Sequence, residues 1–321
     1  MDSMYARYFV LFAMLFTGWF LRKINFIDDK MNHSINKLVV YFAYPCMIVH
    51  NIGSLEMNRT VITEFLITFV MSLVLFYIYG LVSWCYARAR KYPKDISNVA
   101  EFSMAMPNDG FMGFPVALIF FGETGLLLML AHNAAMNFFT FTYGIRLMRR
   151  GQDRRRSGDI NPFLRFLRAA LKFLLNPNIL ATMIGFAVGL LGTGLPQAVD
   201  DYLLYLGGVS TPMAMIFIGS NLTNYNLLET IKDLRVLDCV LMKLLWLPAL
   251  TFGLVYFLPV AGIIKCCVVL GIAFPTAATV SMLAEQEGQS VGMASRVLFI
   301  STIASIVTVP LTIKFLTFMF L

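Results

Sequence analysis

A chain of 321 residues that is 59% hydrophobic and 13% charged, with a mean hydropathy of +0.74, is not a water-soluble domain, which would carry about 25% charged residues. The net charge of +7 is spread between apolar runs rather than gathered on one soluble face, so it reports membrane topology and needs no nucleic-acid partner. Long continuous apolar runs also exclude an outer-membrane barrel, whose strands show only weak alternation.

In chain order the apolar runs predict ten membrane helices: 5–20, 34–52, 62–86, 96–121, 125–148, 178–194, 197–222, 234–258, 261–284 and 291–320. Each approaches or exceeds the ~20 residues needed to cross the hydrocarbon. The first lacks a small-residue cleavage site and is followed by Arg22 and Lys23, so it reads as a retained helix rather than a removed leader. Of the 25 Lys and Arg residues, 21 fall in or beside the loops after odd-numbered spans; only Arg7, Arg59, Lys265 and Lys314 lie on the other side. The positive-inside rule then places both termini outside a cell inner or plasma membrane and the basic loop 149–172 in the cytoplasm. After the run Arg149 to Arg156, the apolar residues Phe163, Phe166, Leu167, Ala170, Leu171 and Leu174 recur at helical spacing opposite Arg165, Arg168 and Lys172. That pattern suggests a helix on the inner leaflet in contact with membrane lipid, and a solvated, topology-setting loop is a simpler explanation of the charges than specific lipid recognition.

Two spans are broken at mid-length. Ser103 to Pro115 interrupts the fourth with Pro107, Asn108, Asp109, Gly110 and Gly113, and Gly271 to Thr279 interrupts the ninth with Pro275 and Thr276. A proline inside a membrane helix strips a donor from the preceding turn, and lipid supplies no water to replace it, so each break must face protein or a wet cavity. Pro45 and Pro212 are 167 positions apart, and Pro107 and Pro275 are 168 apart. Asn133 and Asn137 fall opposite Thr302 and Ser305 at closely similar offsets. The spacing predicts two five-helix repeats, 1–148 and 177–321, joined by the basic segment 149–176. An odd number of spans inverts one repeat relative to the other, and inversion makes broken helices four and nine cross.

A broken helix exposes unpaired amides at its new N-terminus, with a partial positive charge of about half a unit. Two such ends, with neutral amide donors nearby, form a carboxylate site that needs no cation. The candidate substrate-binding residues are therefore Pro107, Asn108, Asp109, Gly110, Asn133, Asn137, Pro275 and Thr276; Asn133 and Asn137, at i and i+4, share a face. Asp109 has two open readings, a cap on the following half-helix or a coupling site for a proton or sodium ion. Lys243 is expected to snorkel towards the inner surface or Asp238, and Glu101 to be hydrated near a span end. Gly185 and Gly189 form a small-residue pair that permits close packing or a homodimer.

Signatures of catalysis are missing: the sequence has no Walker loop, no His-Glu-x-x-His, no Gly-x-Ser-x-Gly and no dinucleotide fingerprint. His33, His50 and His132 have no metal-ligand spacing and the five cysteines form no Cys-x-x-Cys, so no metal or cofactor is expected. The pattern favours a secondary transporter of a small organic anion over a receptor that binds without translocating, an intramembrane enzyme or a channel.

At the first break, Asn108-Asp109-Gly110-Phe111-Met112-Gly113-Phe114-Pro115, continued by Phe120-Phe121-Gly122, resembles the Asn-x-x-x-x-Gly-x-Pro segment of the auxin efflux carrier family, including its prokaryotic malate or malonate permeases. Asn176-Pro177-Asn178, Gly219, Pro275, Ser301-Thr302 and Pro310 also fit. The resemblance implies an all-α membrane fold of ten helices in two inverted repeats, similar to sodium–bile acid symporters. It further implies a transport domain of helices 3–5 and 8–10 moving in an elevator-like manner against a scaffold of helices 1, 2, 6 and 7. Asn108 holds the position at which family members contact the substrate carboxylate. Asp109 departs from the plant pattern, so no role carries over to it.

Overall fold

The computed structural model describes residues 2–150, 171, 174–192, 194–224 and 230–321, and their regular structure is helical, without strands. The expected surface helix from Phe163 to Leu174 lies largely outside the described residues. Among the described residues five helical stretches are long and apolar enough to cross a bilayer: Arg59–Ala89, Asp109–Met148, Gln197–Asn221, Leu234–Tyr256 and Val291–Phe320. Pro177–Leu191 and Gly262–Ala273 are apolar but shorter. The helix Lys94–Ala105 is short for the same reason as Gly262–Ala273: each runs into a break. The long stretch Asp109–Met148 is divided at Gly122, whose φ of 67° turns the chain between the predicted fourth and fifth spans.

Prolines shape these helices in two ways. Pro45, Pro115 and Pro248 each follow by two residues a single wide π turn, at Val39–Ala43, Asp109–Gly113 and Met242–Trp246. Widening the turn accommodates a ring that cannot donate to the carbonyl four residues back. Pro107 and Pro275 instead stand in short non-helical segments.

The chain divides into two compact units. One comprises Met1–Leu66, Gly110–Leu130 and Leu175–Asn226; the other comprises Ile67–Asp109, Ala131–Leu174 and Leu227–Leu321. In the first, Asp2–Lys23 packs along Ser210–Asn221 so closely that a Cβ on Gly18 would lie 2.1 Å from the Ile216 carbonyl oxygen, and one on Gly219 would lie 1.8 Å from that of Leu15. Only glycine allows this backbone approach, the usual basis of helix association in lipid. Gly185 and Gly189 are spent in the same way, against Ile52 and Met57 of their own chain, which leaves this pair unavailable to a second copy. Asn32 is buried between Asn221 and Ser220, to which it is hydrogen-bonded at 2.9 and 2.5 Å.

The second unit shows the burial pattern of a protein solvated by lipid. Along Arg59–Ala89 the residues Ser72, Ser83 and Tyr79 are fully buried, whereas Val70, Val74 and Leu81 are exposed. Polar groups turn inward because hydrocarbon offers them no partners, and apolar side chains lose nothing by facing it. At the end of this helix Tyr86, Arg90 and Tyr92 all donate to the Asp238 carboxylate, at 2.7, 2.6 and 2.9 Å. Asp238 is thus fully engaged without Lys243. Burial and this carboxylate together raise the Tyr92 hydroxyl above its ordinary pKa.

Candidate functional site

Both breaks belong to the second unit, and there they pair with each other. Pro107 and Thr276 form an isolated antiparallel bridge in which the Asn108 amide donates to the Pro275 carbonyl at 2.8 Å and the Ala277 amide donates to the Met106 carbonyl at 3.1 Å. Two unwound segments buried in a low-dielectric core thereby satisfy each other's backbone. The carbonyl that Pro107 orphans, four residues back at Ser103, accepts instead from the Thr276 hydroxyl at 2.9 Å. The Thr276 amide donates to Ser301 Oγ at 3.1 Å, and Ser301 in turn donates to the Leu298 carbonyl. Thr276 is therefore a splice that repairs both helices, and its side chain is consumed by structure.

Asn108 differs. Its backbone holds the crossing, while its side chain makes no hydrogen bond among the described residues and is 6% exposed. Asn133 and Asn137 lie on one face of Phe114–Phe139, as their spacing predicts. The Asn137 side-chain amide donates to the Asn133 carbonyl and to Asn133 Oδ1, at 2.9 and 3.0 Å. This leaves the Asn133 amide nitrogen and the Asn137 side-chain carbonyl oxygen without a hydrogen-bond partner among the described residues. The asparagine face is tied to the first break by Thr140, whose hydroxyl lies 3.6 Å from Met106 Sδ. A second tie is His132, whose Nδ1 lies 2.8 Å from Asp109 Oδ2. Gly110, the remaining candidate, opens on space: a Cβ there would meet nothing within 4 Å.

Asp109 and His132 are both wholly buried, and among the described residues Asp109 Oδ1 and His132 Nε2 have no hydrogen-bond partner. The carboxylate bonds to the ring, and no backbone amide among the described residues donates to it. The ring lies tilted against Phe76, with ring centroids 4.9 Å apart, and presses on Gly271 of the second broken helix, where a Cβ would come within 2.5 Å of His132 Cε1. Lys243 does not snorkel. It sits in the π turn before Pro248 with 0% exposure, and its Nζ lacks a hydrogen bond among the described residues. Glu101 is also not hydrated: it is 1% exposed and paired at 2.5 Å with Arg150, which Asn98 also holds. Arg149 makes two bonds of 2.7 Å to Glu287, which hold its guanidinium above its ordinary pKa. Sequence reasoning missed His132 and Lys243, because a lone histidine has no ligand spacing and a lysine stem nine residues into a span can usually reach water.

Chemically, the site combines unspent amide groups, the uncapped N-terminus of Ala278–Gln286 and one carboxylate paired with an imidazole. It has the means to receive an anion and to hold a proton. Among the described residues no three His, Cys, Asp or Glu side chains gather as a metal site.

A sequence profile of the family described as "Membrane transport protein" matches residues 3–313. An "Uncharacterized transporter" of Methanothermobacter thermautotrophicus is 24% identical over 300 residues, covering 93% of this chain and 94% of its own. A "Putative malonate transporter" of Rhizobium meliloti is 23% identical over 301 residues, covering 93% and 91%. A further "Uncharacterized transporter", of Methanocaldococcus jannaschii, is 23% identical over 313 residues, covering 94% and 95%.

Proposed function

The chain belongs to the membrane transport protein family, whose members resemble auxin efflux carriers, and from that premise we propose that it is a secondary carrier of a small carboxylate worked by elevator-like alternating access. Family and relatives already make it a multi-pass membrane transporter rather than an enzyme. The observation that carries the finer reading is the crossing of the two breaks, which leaves the Asn108 side chain unspent beside a helix N-terminus with no side-chain cap.

In this reading the substrate carboxylate accepts from Asn108 and from the first amides of Ala278–Gln286, and Asn133 and Asn137 read its remaining polar group. Charge-assisted hydrogen bonds of this kind contribute about 1.5–3 kcal/mol each, enough to hold an anion without a lysine or arginine in contact. The ten spans, the inverted repeats and the division into scaffold and transport helices belong to the same proposal. It is supported by the matching proline offsets and by a compact unit that brings most of helices 3 and 8–10 together with the first half of helix 4. A short dicarboxylate suits two facing sets of neutral amides, and the name of the Rhizobium relative points to the same class. The basic loop places its side of the protein in the cytoplasm.

Uptake of radiolabelled malonate by proteoliposomes, alongside a thermal-shift screen of mono- and dicarboxylates including indole acetate, tests this reading. Asn108→Ala is expected to weaken the best ligand by about tenfold or more, the equivalent of one lost charge-assisted bond, with little change in thermal midpoint. Unchanged affinity and transport would remove Asn108 from the site. Binding by purified protein without any flux would favour a receptor.

A further inference from the structure

Asp109 and His132 stand in the sequence immediately beside two residues of the substrate site, Asn108 and Asn133. Those two asparagines lie on different segments, the first break and the helix Phe114–Phe139, and the backbone bonds of the crossing tie Asn108 to the second break. The Asp109–His132 bond of 2.8 Å spans the remaining gap, one residue away from each asparagine. All of these residues belong to the second unit. Both side chains are short, with two rotatable bonds each, so a shift of the carboxylate or the ring carries the neighbouring backbone with it. The ring itself has no room to swing: Phe76 lies tilted against it, and a Cβ on Gly271 would come within 2.5 to 2.8 Å of three ring atoms. The second broken helix, on which the ring rests, also supplies the Pro275 carbonyl that holds the Asn108 amide at 2.8 Å. First break, span five and second broken helix are thereby closed into one triangle, and the bond from Asp109 is the side that sets the distance between Asn108 and Asn133. The other tie between the first break and span five, Thr140 to Met106 Sδ at 3.6 Å, ends on a flexible thioether and constrains less.

Resting on the carrier reading above, we propose that Asp109 and His132 are positioning residues that set the gap between Asn108 and Asn133, and that this gap selects the length of the dicarboxylate carried. Asn108, with the first amides of Ala278–Gln286, holds one carboxylate, and the Asn133 amide nitrogen donates to the other. Asn137, donating to Asn133 Oδ1 at 3.0 Å, fixes which end of Asn133 is left for the ligand. A recognition set of this kind works only while its members keep their places to within about 0.5 Å, and one added methylene moves the far carboxylate by more than that. Neither Asp109 nor His132 touches the substrate. A buried ionisable pair adds little stability over apolar packing of the same volume, so its distinctive contribution here is fixed geometry. Without the bond the two asparagines drift relative to each other; chains of several lengths become acceptable and each is held less tightly.

The test is calorimetric binding of malonate, succinate, glutarate and adipate to the full chain in detergent. The wild type is expected to prefer one length over its neighbours by about tenfold or more, and a flat series would overturn the proposal. In the double variant Asp109→Ala with His132→Leu, which strands neither partner, the preferred acid is expected to weaken by about tenfold or more and the series to flatten to within about threefold. His132→Asn puts an amide where Nδ1 stood and should keep the wild-type profile, whereas His132→Gln carries its amide to the Nε2 position and should flatten it. Loss of folded protein alone would scale every acid alike. A double variant that keeps the wild-type order and ratios therefore overturns the proposal, as do equal profiles in the Asn and Gln variants, and these two decide if the double variant does not fold. Hydrogen exchange reads the hold on Asn108 without any substrate: the Asn108 and Ala277 amides should exchange about threefold or more faster in the double variant and in His132→Gln, with Asp2–Lys23 unchanged, and unaltered exchange at the crossing would overturn it. Should the wild type bind none of the four acids, the dicarboxylate reading fails and exchange decides this one.

Discussion

The two interruptions meet in one hydrogen-bonded crossing, yet they are built from different materials. The second, Phe274 to Ala277, is neutral, and its polar groups are used up: the Thr276 hydroxyl on Ser103, its amide on Ser301 and the Pro275 carbonyl on Asn108. The first, Met106 to Asp109, leaves the Asn108 side chain unspent and sets a carboxylate against His132. The second break spends its Thr276 side chain on the joint and leaves only the amides that open Ala278–Gln286, whereas the first leaves side chains over. Sequence offsets that align them would suggest equal roles; the hydrogen bonds show that equivalent positions have been divided between holding the crossing and leaving it reactive.

That division can be broken by substitution. The largest effect is expected from Asp109→Ala, which strands His132 and should cost about 3–5 kcal/mol of stability, measured as a fall in thermal midpoint. Survival of the midpoint would mean that the cluster is hydrated in the membrane. Gly271→Ala should come next at about 1–3 kcal/mol, because the new Cβ would overlap the His132 ring, and Gly271→Ser should be no better. Thr276→Val removes the hydroxyl that replaces the donor Pro107 lacks; a loss of about 1–3 kcal/mol with substrate affinity unchanged is expected, and Thr276→Ser should recover most of it. The reverse split, affinity lost and midpoint kept, would make the Thr276 side chain part of the binding site. The smallest change is expected from Glu287→Gln at the exposed Arg149 pair, at most about 1 kcal/mol and fading with added salt.

Much of this was legible in residue order. Pro107 and Pro275, each set among small and polar residues, mark the breaks, and Asn133 and Asn137 share a face because four residues make nearly one turn. Other residues were misread for a common reason. Lys243 and Glu101 each have a cheap local solution in sequence, snorkelling or hydration, and in each case burial within the folded chain overrides it, Glu101 against Arg150 and Lys243 in the Met242–Trp246 turn. The pair Gly185 and Gly189 was read as a packing face, but whether it met its own chain or a copy depended on where Ile52 and Met57 fell.

Composition and periodicity by themselves determined the solvent of this protein, the helical class and the places where helices must break, because hydrocarbon tolerates so few backbone arrangements. Which broken segment pairs with which, and which polar atoms are left over for a ligand or a proton, was decided only by tertiary structure. A hydrogen bond or buried charge acts over a few ångströms in space, and that distance is not written in the spacing of residues along the chain.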